Sequence, residues 1–197
     1  MRYYLDTEFD ETEDRLVLLS LALRAADGRE LYLVSTDFST ATCNPWVQAN
    51  VLPHLHALAS KDDLQAAYVM PKDRFAEQIE LFLCNDGSPE FWGYYCAYDW
   101  FLFCRLWGGM LRMPNRFPKV CYDLKQLAGV LLPGVGYKSD NPPEQPEHNA
   151  LADARWNDRL FRWILEKADA QAERDDHHSP ELRRGVDSFI SNARFTK

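Results

Sequence analysis

The apolar residues of this chain change period several times, and each change marks an element. Residues 2–8, RYYLDTE, set Tyr3, Tyr4 and Leu5 in an apolar run that suits a buried strand. RLVLLSLALRA (15–25) is a longer run, closed by Asp27-Gly28, and ELYLVS (30–35) follows it. An Asp-Gly pair between two such runs predicts a hairpin-type connection, so the first third reads as an antiparallel meander. Pro45 opens a predicted helix to about residue 59. In PKDRFAEQIELFLC (71–84), Phe75, Ile79, Phe82 and Leu83 share one helical face, with Pro71 at the start. EFWGYY (90–95) reads as a buried strand leading directly into the helix YDWFLFCRLWG; KVCYD (119–123) is a short strand and LKQLAGVL a helix. Residues 133–146 hold four of the eleven prolines and two glycines, the composition of a long irregular loop. A helix is predicted from Asn149 to about residue 172. Ser179-Pro180 caps and opens a last one, with Leu182, Val186, Phe189 and Ile190 along one stripe. Three strands followed by alternating helix and strand predict an α/β domain with a mixed sheet.

Composition narrows the class. At 197 residues the chain fits one ordinary domain with a real core, and 46% apolar residues, including 6 Trp and 11 Phe, exclude disorder. The apolar stretches fall short of a membrane span, and no basic segment precedes an apolar one in the manner of a secretory signal. The five cysteines (43, 84, 96, 104 and 121) are odd in number and form no CxxC pair, which predicts reduced core thiols in a cytoplasmic protein. A net charge of −8 argues against a broad, sequence-independent grip on long nucleic acid, and leaves room for a short substrate held through metal ions.

Three acidic places interrupt the apolar elements. Asp6 and Glu8 stand two apart on the first strand, so both carboxylates point to one face, among Tyr3, Tyr4, Leu5 and Phe9. Like charges in a low dielectric repel, and such a pair persists when a cation neutralises it. Hard oxygen ligands suit Mg²⁺ or Mn²⁺. Asp99 opens the stripe Leu102, Phe103, Leu106 at a strand-to-helix junction. There it reads either as a helix cap or as a ligand near the carboxyl end of a strand. Asp153 leads Leu160 and Ile164 on a third apolar stripe, with His148 five residues earlier. On one helix that spacing would set the two about 140° apart. With Asn149 as the cap, His148 lies in the preceding loop and can reach the same site. Four carboxylates and a histidine are the parts of a two-metal phosphodiester hydrolase, with the histidine taking a proton from water.

Asp6-Thr7-Glu8, the segment around Asp99, and His148-Asn149-Ala150-Leu151-Ala152-Asp153 together resemble the three motifs of the DEDDh (DnaQ-like, RNase T-like) exonuclease superfamily. The third motif of that family, His-x-Ala-x-x-Asp, is matched by His148, Ala150 and Asp153, over a resemblance spanning about residues 2 to 165. Many relatives carry Asn four residues before the second-motif Asp; here Tyr95 stands there. The wording YLDTEF with AYDWFLFCRLWG is most similar to a small bacterial and phage branch of 3′→5′ exoribonucleases. The resemblance implies an RNase H-like fold with a mixed five-stranded sheet, one exonuclease domain over 1–175, and a C-terminal helix in 176–197 packed on or extending it. It implies two divalent ions, Mg²⁺ or Mn²⁺, on Asp6, Glu8, Asp99 and Asp153, with His148 as general base. It also implies 3′→5′ release of nucleoside 5′-monophosphates from RNA 3′ ends. Single-stranded DNA as substrate, a homodimer, a proofreading-type DNA exonuclease and a non-catalytic binding module on the same fold stay open. Thr7 (through its backbone), Phe9 and Trp100 adjoin the ligands and are candidates for substrate contact, with core packing as the alternative for the two rings. Lys138, in the loop before His148, is a candidate phosphate contact or simply solvated, and His177 and His178 read as linker residues.

Overall fold

The computed structural model describes residues 1–55, 68–136, 138, 140–143 and 146–175, the last four of these by backbone alone. Strands β1 (Arg2–Thr12), β2 (Arg15–Ala25) and β3 (Glu30–Ser35) form the antiparallel meander. The turn after β2 needs Gly28, whose φ is +99°, where a side chain would be strained. Helix α1 (Pro45–Asn50) follows, then β4 (Tyr68–Met70), a 3-10 turn at Lys72–Arg74, and α2 (Phe75–Phe82). β5 (Glu90–Gly93), α3 (Ala97–Arg105), β6 (Cys121–Asp123), α4 (Leu124–Leu131) and α5 (Ala150–Asp175) complete the order.

Among the described residues the sheet has six strands in the order β4-β3-β2-β1-β5-β6, one more than expected. The addition is β4, a three-residue edge strand parallel to β3, with Tyr68 and Val69 exposed; so short a piece carries no readable alternation. β5 and β6 run parallel to β1. The helix expected from Pro45 to about 59 is helical to Asn50 and turns to Leu55; the rest of that expectation lies outside the described residues. So do the C-terminal helix and the linker histidines. No helix among the described residues is long and apolar enough to cross a membrane. All five cysteines are free; Cys43, Cys96 and Cys104 are buried, Cys121 is half-buried and Cys84 is exposed.

Period-two alternation divides β1 between two cores. Tyr3 and Leu5 face Phe75, Ile79 and Leu83 of the α2 segment and Leu102 and Phe103 of α3. Tyr4 faces Leu124 and Ala128 of α4 and Trp156, Leu160 and Phe161 of α5. Burying a Leu or Phe side chain fully contributes about 1.5–3 kcal/mol, so both faces anchor the strand. α5 also runs past Ala22 of β2 and Tyr32 and Val34 of β3, against which Ala150, Leu151 and Ala154 pack.

The consequence for function lies at the edge of β1. β5 pairs with Arg2–Tyr4 only, while β1 runs on to Thr12. Beyond Tyr4 its backbone groups find side chains instead of a strand. The Leu5 carbonyl accepts from Asn157 Nδ2 at 3.1 Å, and the Thr7 amide donates to Asp99 Oδ1 at 2.9 Å. Gly93 lets β5 end hard against this edge: a Cβ there would lie 2.7 Å from Cys96 Cβ and 3.1 Å from the Leu5 carbonyl oxygen. β1 and β2 also slip register between Glu8 and Phe9, which face Ser20 and Leu18 and leave Leu19 unmatched. Such bulges recur beside active sites because they re-aim side chains.

Candidate active site

Asp6 and Glu8 leave β1 on the side that faces α5, and Asp153 sits in the first turn of α5. One carboxylate oxygen from each of Asp6, Glu8 and Asp153 lies within 4.8 Å of the others. Asp99 stands beside them, buried to 7% exposure, on the third residue of α3. It is therefore inside the helix rather than at the cap, and its Oδ1 accepts from both the Thr7 amide and Thr7 Oγ1, the latter at 2.6 Å. Thr7 points away from Asp6, as strand alternation requires, and both its amide and its hydroxyl are committed to Asp99. Its contribution is to hold a carboxylate, which the sequence did not indicate.

The electrostatics follow from this crowding. Burial first, then Asp99, Asp153 and Glu8, hold the Asp6 carboxyl well above the usual carboxylate range. Glu8 is pushed up to about 8 by burial, then by Asp153 and Asp99. Asp153 rises to about 7 through burial, against backbone hydrogen bonds from His148 and Asn149. Asp99 rises to about 6, burial outweighing the two bonds from Thr7. Elsewhere the fold treats its buried acids differently. Burial would raise Glu30, but Arg155 and Arg24, at 2.7 and 2.6 Å, hold it below its ordinary value. Asp158 is matched by Arg24 and Arg162. Among the described residues no Lys or Arg forms such a pair with Asp6, Glu8, Asp99 or Asp153. Three carboxylates converging within 4.8 Å, with Asp99 nearby and no ion pair to Lys or Arg among the described residues, fit divalent metal ions.

A stability prediction follows with a definite sign. Each of these carboxyls binds its proton more tightly folded than unfolded. Their stabilisation is fully present below the unfolded values near 4 and is lost as pH rises through about 6, 7 and 8. The metal-free protein should melt about 5–10 °C lower at pH 8.5 than at pH 5. Mn²⁺ should restore the loss at pH 8.5 and do little at pH 5, as read by thermal melts with and without chelator.

His148 precedes α5 in the left-handed backbone region, with φ +60°. Asn149 caps the helix: its Oδ1 accepts from the Leu151 and Ala152 amides, both at 3.1 Å, while Nδ2 donates to the His54 carbonyl and the Tyr32 hydroxyl. His148, Asp6 and Asp153 line one cavity with Glu147, Lys138 and Tyr94. The Lys138 ammonium lies 5.7 Å from the Tyr94 ring centre. Phe9 is half-buried, tilts against Tyr98 at 5.4 Å, and lines a neighbouring groove with Glu8, Asn44 and Trp46. Trp100 is not brought to the carboxylates; its ring stacks on Phe103 at 5.1 Å and packs beside Phe91. Tyr95 sits in the left-handed backbone region, with φ +54°.

No family model matches the chain. It is similar to two 3′-5′ exoribonucleases of Mycobacterium tuberculosis, from strains CDC 1551 / Oshkosh and H37Rv. Each is 37% identical over 172 residues, which cover 86% of this chain and 96% of the relative. Among solved structures it is similar to exonuclease I from Methylocaldum szegediense, with a TM-score of 0.54 and 16% identity. That match covers 88% of this chain and 43% of the other, and it shows the same RNase H-like fold.

Proposed function

The chain belongs to the DEDDh exonuclease superfamily, in the branch of the two mycobacterial 3′-5′ exoribonucleases, and from that premise we propose that it removes nucleotides stepwise from RNA 3′ ends. The observation that carries the reading is the convergence of Asp6, Glu8 and Asp153 within 4.8 Å, with no ion pair to Lys or Arg among the described residues. In this reading Asp6, Glu8, Asp99 and Asp153 hold two divalent ions, Mg²⁺ or Mn²⁺. Such ions, when bound, supply an activated water and charge stabilisation for the leaving oxygen. The remaining work falls to side chains of the protein. His148 takes the proton of the attacking water on an imidazole nitrogen. Thr7 fixes Asp99 through two hydrogen bonds. The Phe9 ring, beside Glu8 in its groove, offers a face to the terminal base, and such stacking is worth about 1–3 kcal/mol. Trp100, half-buried against Phe91 and Phe103, supports α3 rather than meeting substrate. The backbone at Glu8 and Phe9, beside the register slip, is the place for a contact to the 2′-hydroxyl that selects RNA. In this reading one exonuclease domain spans 1–175, and the five free thiols support a cytoplasmic setting.

The test uses a 5′-labelled RNA, its DNA counterpart and the same RNA with a blocked 3′ end, each with Mn²⁺. A ladder of shortened products with released nucleoside 5′-monophosphates is expected on the free RNA, less on DNA and none on the blocked strand. Faster digestion of DNA would move the reading to a proofreading-type exonuclease. Internal cleavage of the blocked RNA would exclude an exonuclease.

A further inference from the structure

A general base must present its nitrogen in a fixed direction, and a third group oriented against it usually does this through a hydrogen bond. His148 has no such bond to its ring among the described residues. What meets the imidazole is Trp46, with ring centroids 4.9 Å apart and planes at 74°, an edge-to-face pair. Trp46 is 55% exposed, so it fills no core, but it is firmly mounted. Pro45 sets the first turn of α1, and Asn44 caps it by accepting from the Val47 amide at 2.9 Å. Asn44 is itself held by the buried Asp10, whose Oδ1 accepts from its amide at 2.9 Å and its side-chain nitrogen at 2.7 Å. Asp10 lies two residues beyond Glu8 on β1. The strand that carries two of the carboxylates thus also carries, through Asp10 and Asn44, the ring that meets His148.

We infer that Trp46 is a positioning residue: its indole holds the His148 imidazole in the cavity it shares with Asp6 and Asp153 without taking a hydrogen bond from the ring. The inference rests on His148 acting as the base. An edge-to-face pair of this kind, whose stabilisation goes into one rotamer of the base, is worth about a 3- to 10-fold difference in rate. It acts through His148 and through nothing else, so it should vanish when the imidazole is gone.

The experiment measures kcat and KM for Mn²⁺-dependent digestion of a 5′-labelled RNA by the full chain and its Trp46→Ala, Trp46→Phe, His148→Ala and Trp46→Ala/His148→Ala variants. The Mn²⁺-induced rise in melting temperature certifies that each is folded and holds metal. Trp46→Ala should lower kcat about 3- to 10-fold with KM changed less than about twofold, and Trp46→Phe should recover most of the loss. The double variant should match His148→Ala. A raised KM at unchanged kcat, an unchanged kcat, or a further loss in the double variant would overturn the inference, and the first and last would place the indole on the substrate. If His148→Ala itself keeps the full rate, the failure lies with the base assignment and not with the ring contact alone.

Discussion

Glu8→Gln should all but abolish hydrolysis and at the same time stabilise the metal-free protein. The substitution keeps the shape of the side chain and removes one charge from a cluster in which burial, Asp153 and Asp99 raise the Glu8 carboxyl to about 8. At pH 8 and above, where the wild-type carboxyl gives up its proton against that repulsion, the amide has nothing to give up. Its variant should therefore melt higher than wild type in chelator, by several degrees on the scale of about 2–4 °C per kcal/mol for a chain of this size. With Mn²⁺ the order should reverse, because the variant offers one fewer anionic oxygen. Loss of a preorganised electrostatic partner costs about 10²–10³-fold in rate, and a ligand shared by the reacting centre should cost at least that. Asp6→Asn and Asp153→Asn should behave alike, since each belongs to the same 4.8 Å group. A Glu8→Gln protein that keeps most of its Mn²⁺-dependent activity would separate the cluster from the chemistry. One that is inactive and also destabilised in chelator would show a structural role instead.

The acids that carry this prediction were readable because of where they interrupt a pattern. Asp6 and Glu8 fall on one face by the period of a strand, and Asp153 leads a helical stripe whose later members, Leu160 and Ile164, are fully buried. The spans of β2 and β3 were likewise legible, since each is an apolar run bounded by turn or polar residues. Asp99 was more ambiguous. One residue of uncertainty at a helix start decides between a cap and an inward-facing side chain, and α3 begins at Ala97, which turns Asp99 inward. The partners that hold the acids left no local signal. Thr7 and Asp99 are 92 residues apart, and Asn157 reaches the Leu5 carbonyl across 152. Both bonds exist because β5 ends where β1 runs on, a fact of topology that no short window contains. The contact between Trp46 and His148 is of the same kind. β4 escaped notice for a different reason, three residues being too few to show a period.

His148→Asn should separate chemistry from folding more sharply than the usual alanine change. The residue sits at φ +60°, a conformation that costs a side-chained residue of order 1 kcal/mol or more and that Asn tolerates better than His. Its amide nevertheless has a task there, since it donates to the Asp153 carboxylate beside the Asn149 amide. An Asn at 148 keeps that amide and the left-handed turn into α5, and it eases the backbone. Its melting temperature should equal or exceed that of the wild type. What it lacks is a side chain able to take a proton, so kcat should fall by about 10²–10⁴, the range of general-base assistance, while the Mn²⁺-induced rise in melting temperature persists. Strain kept at a residue whose removal stabilises the fold is the mark of a position held for function rather than for packing. An Asn variant with wild-type turnover would show that the turn, and not the imidazole, is what the enzyme needs at this position. One that loses its Mn²⁺ response along with its rate would assign His148 to the metal-holding set instead.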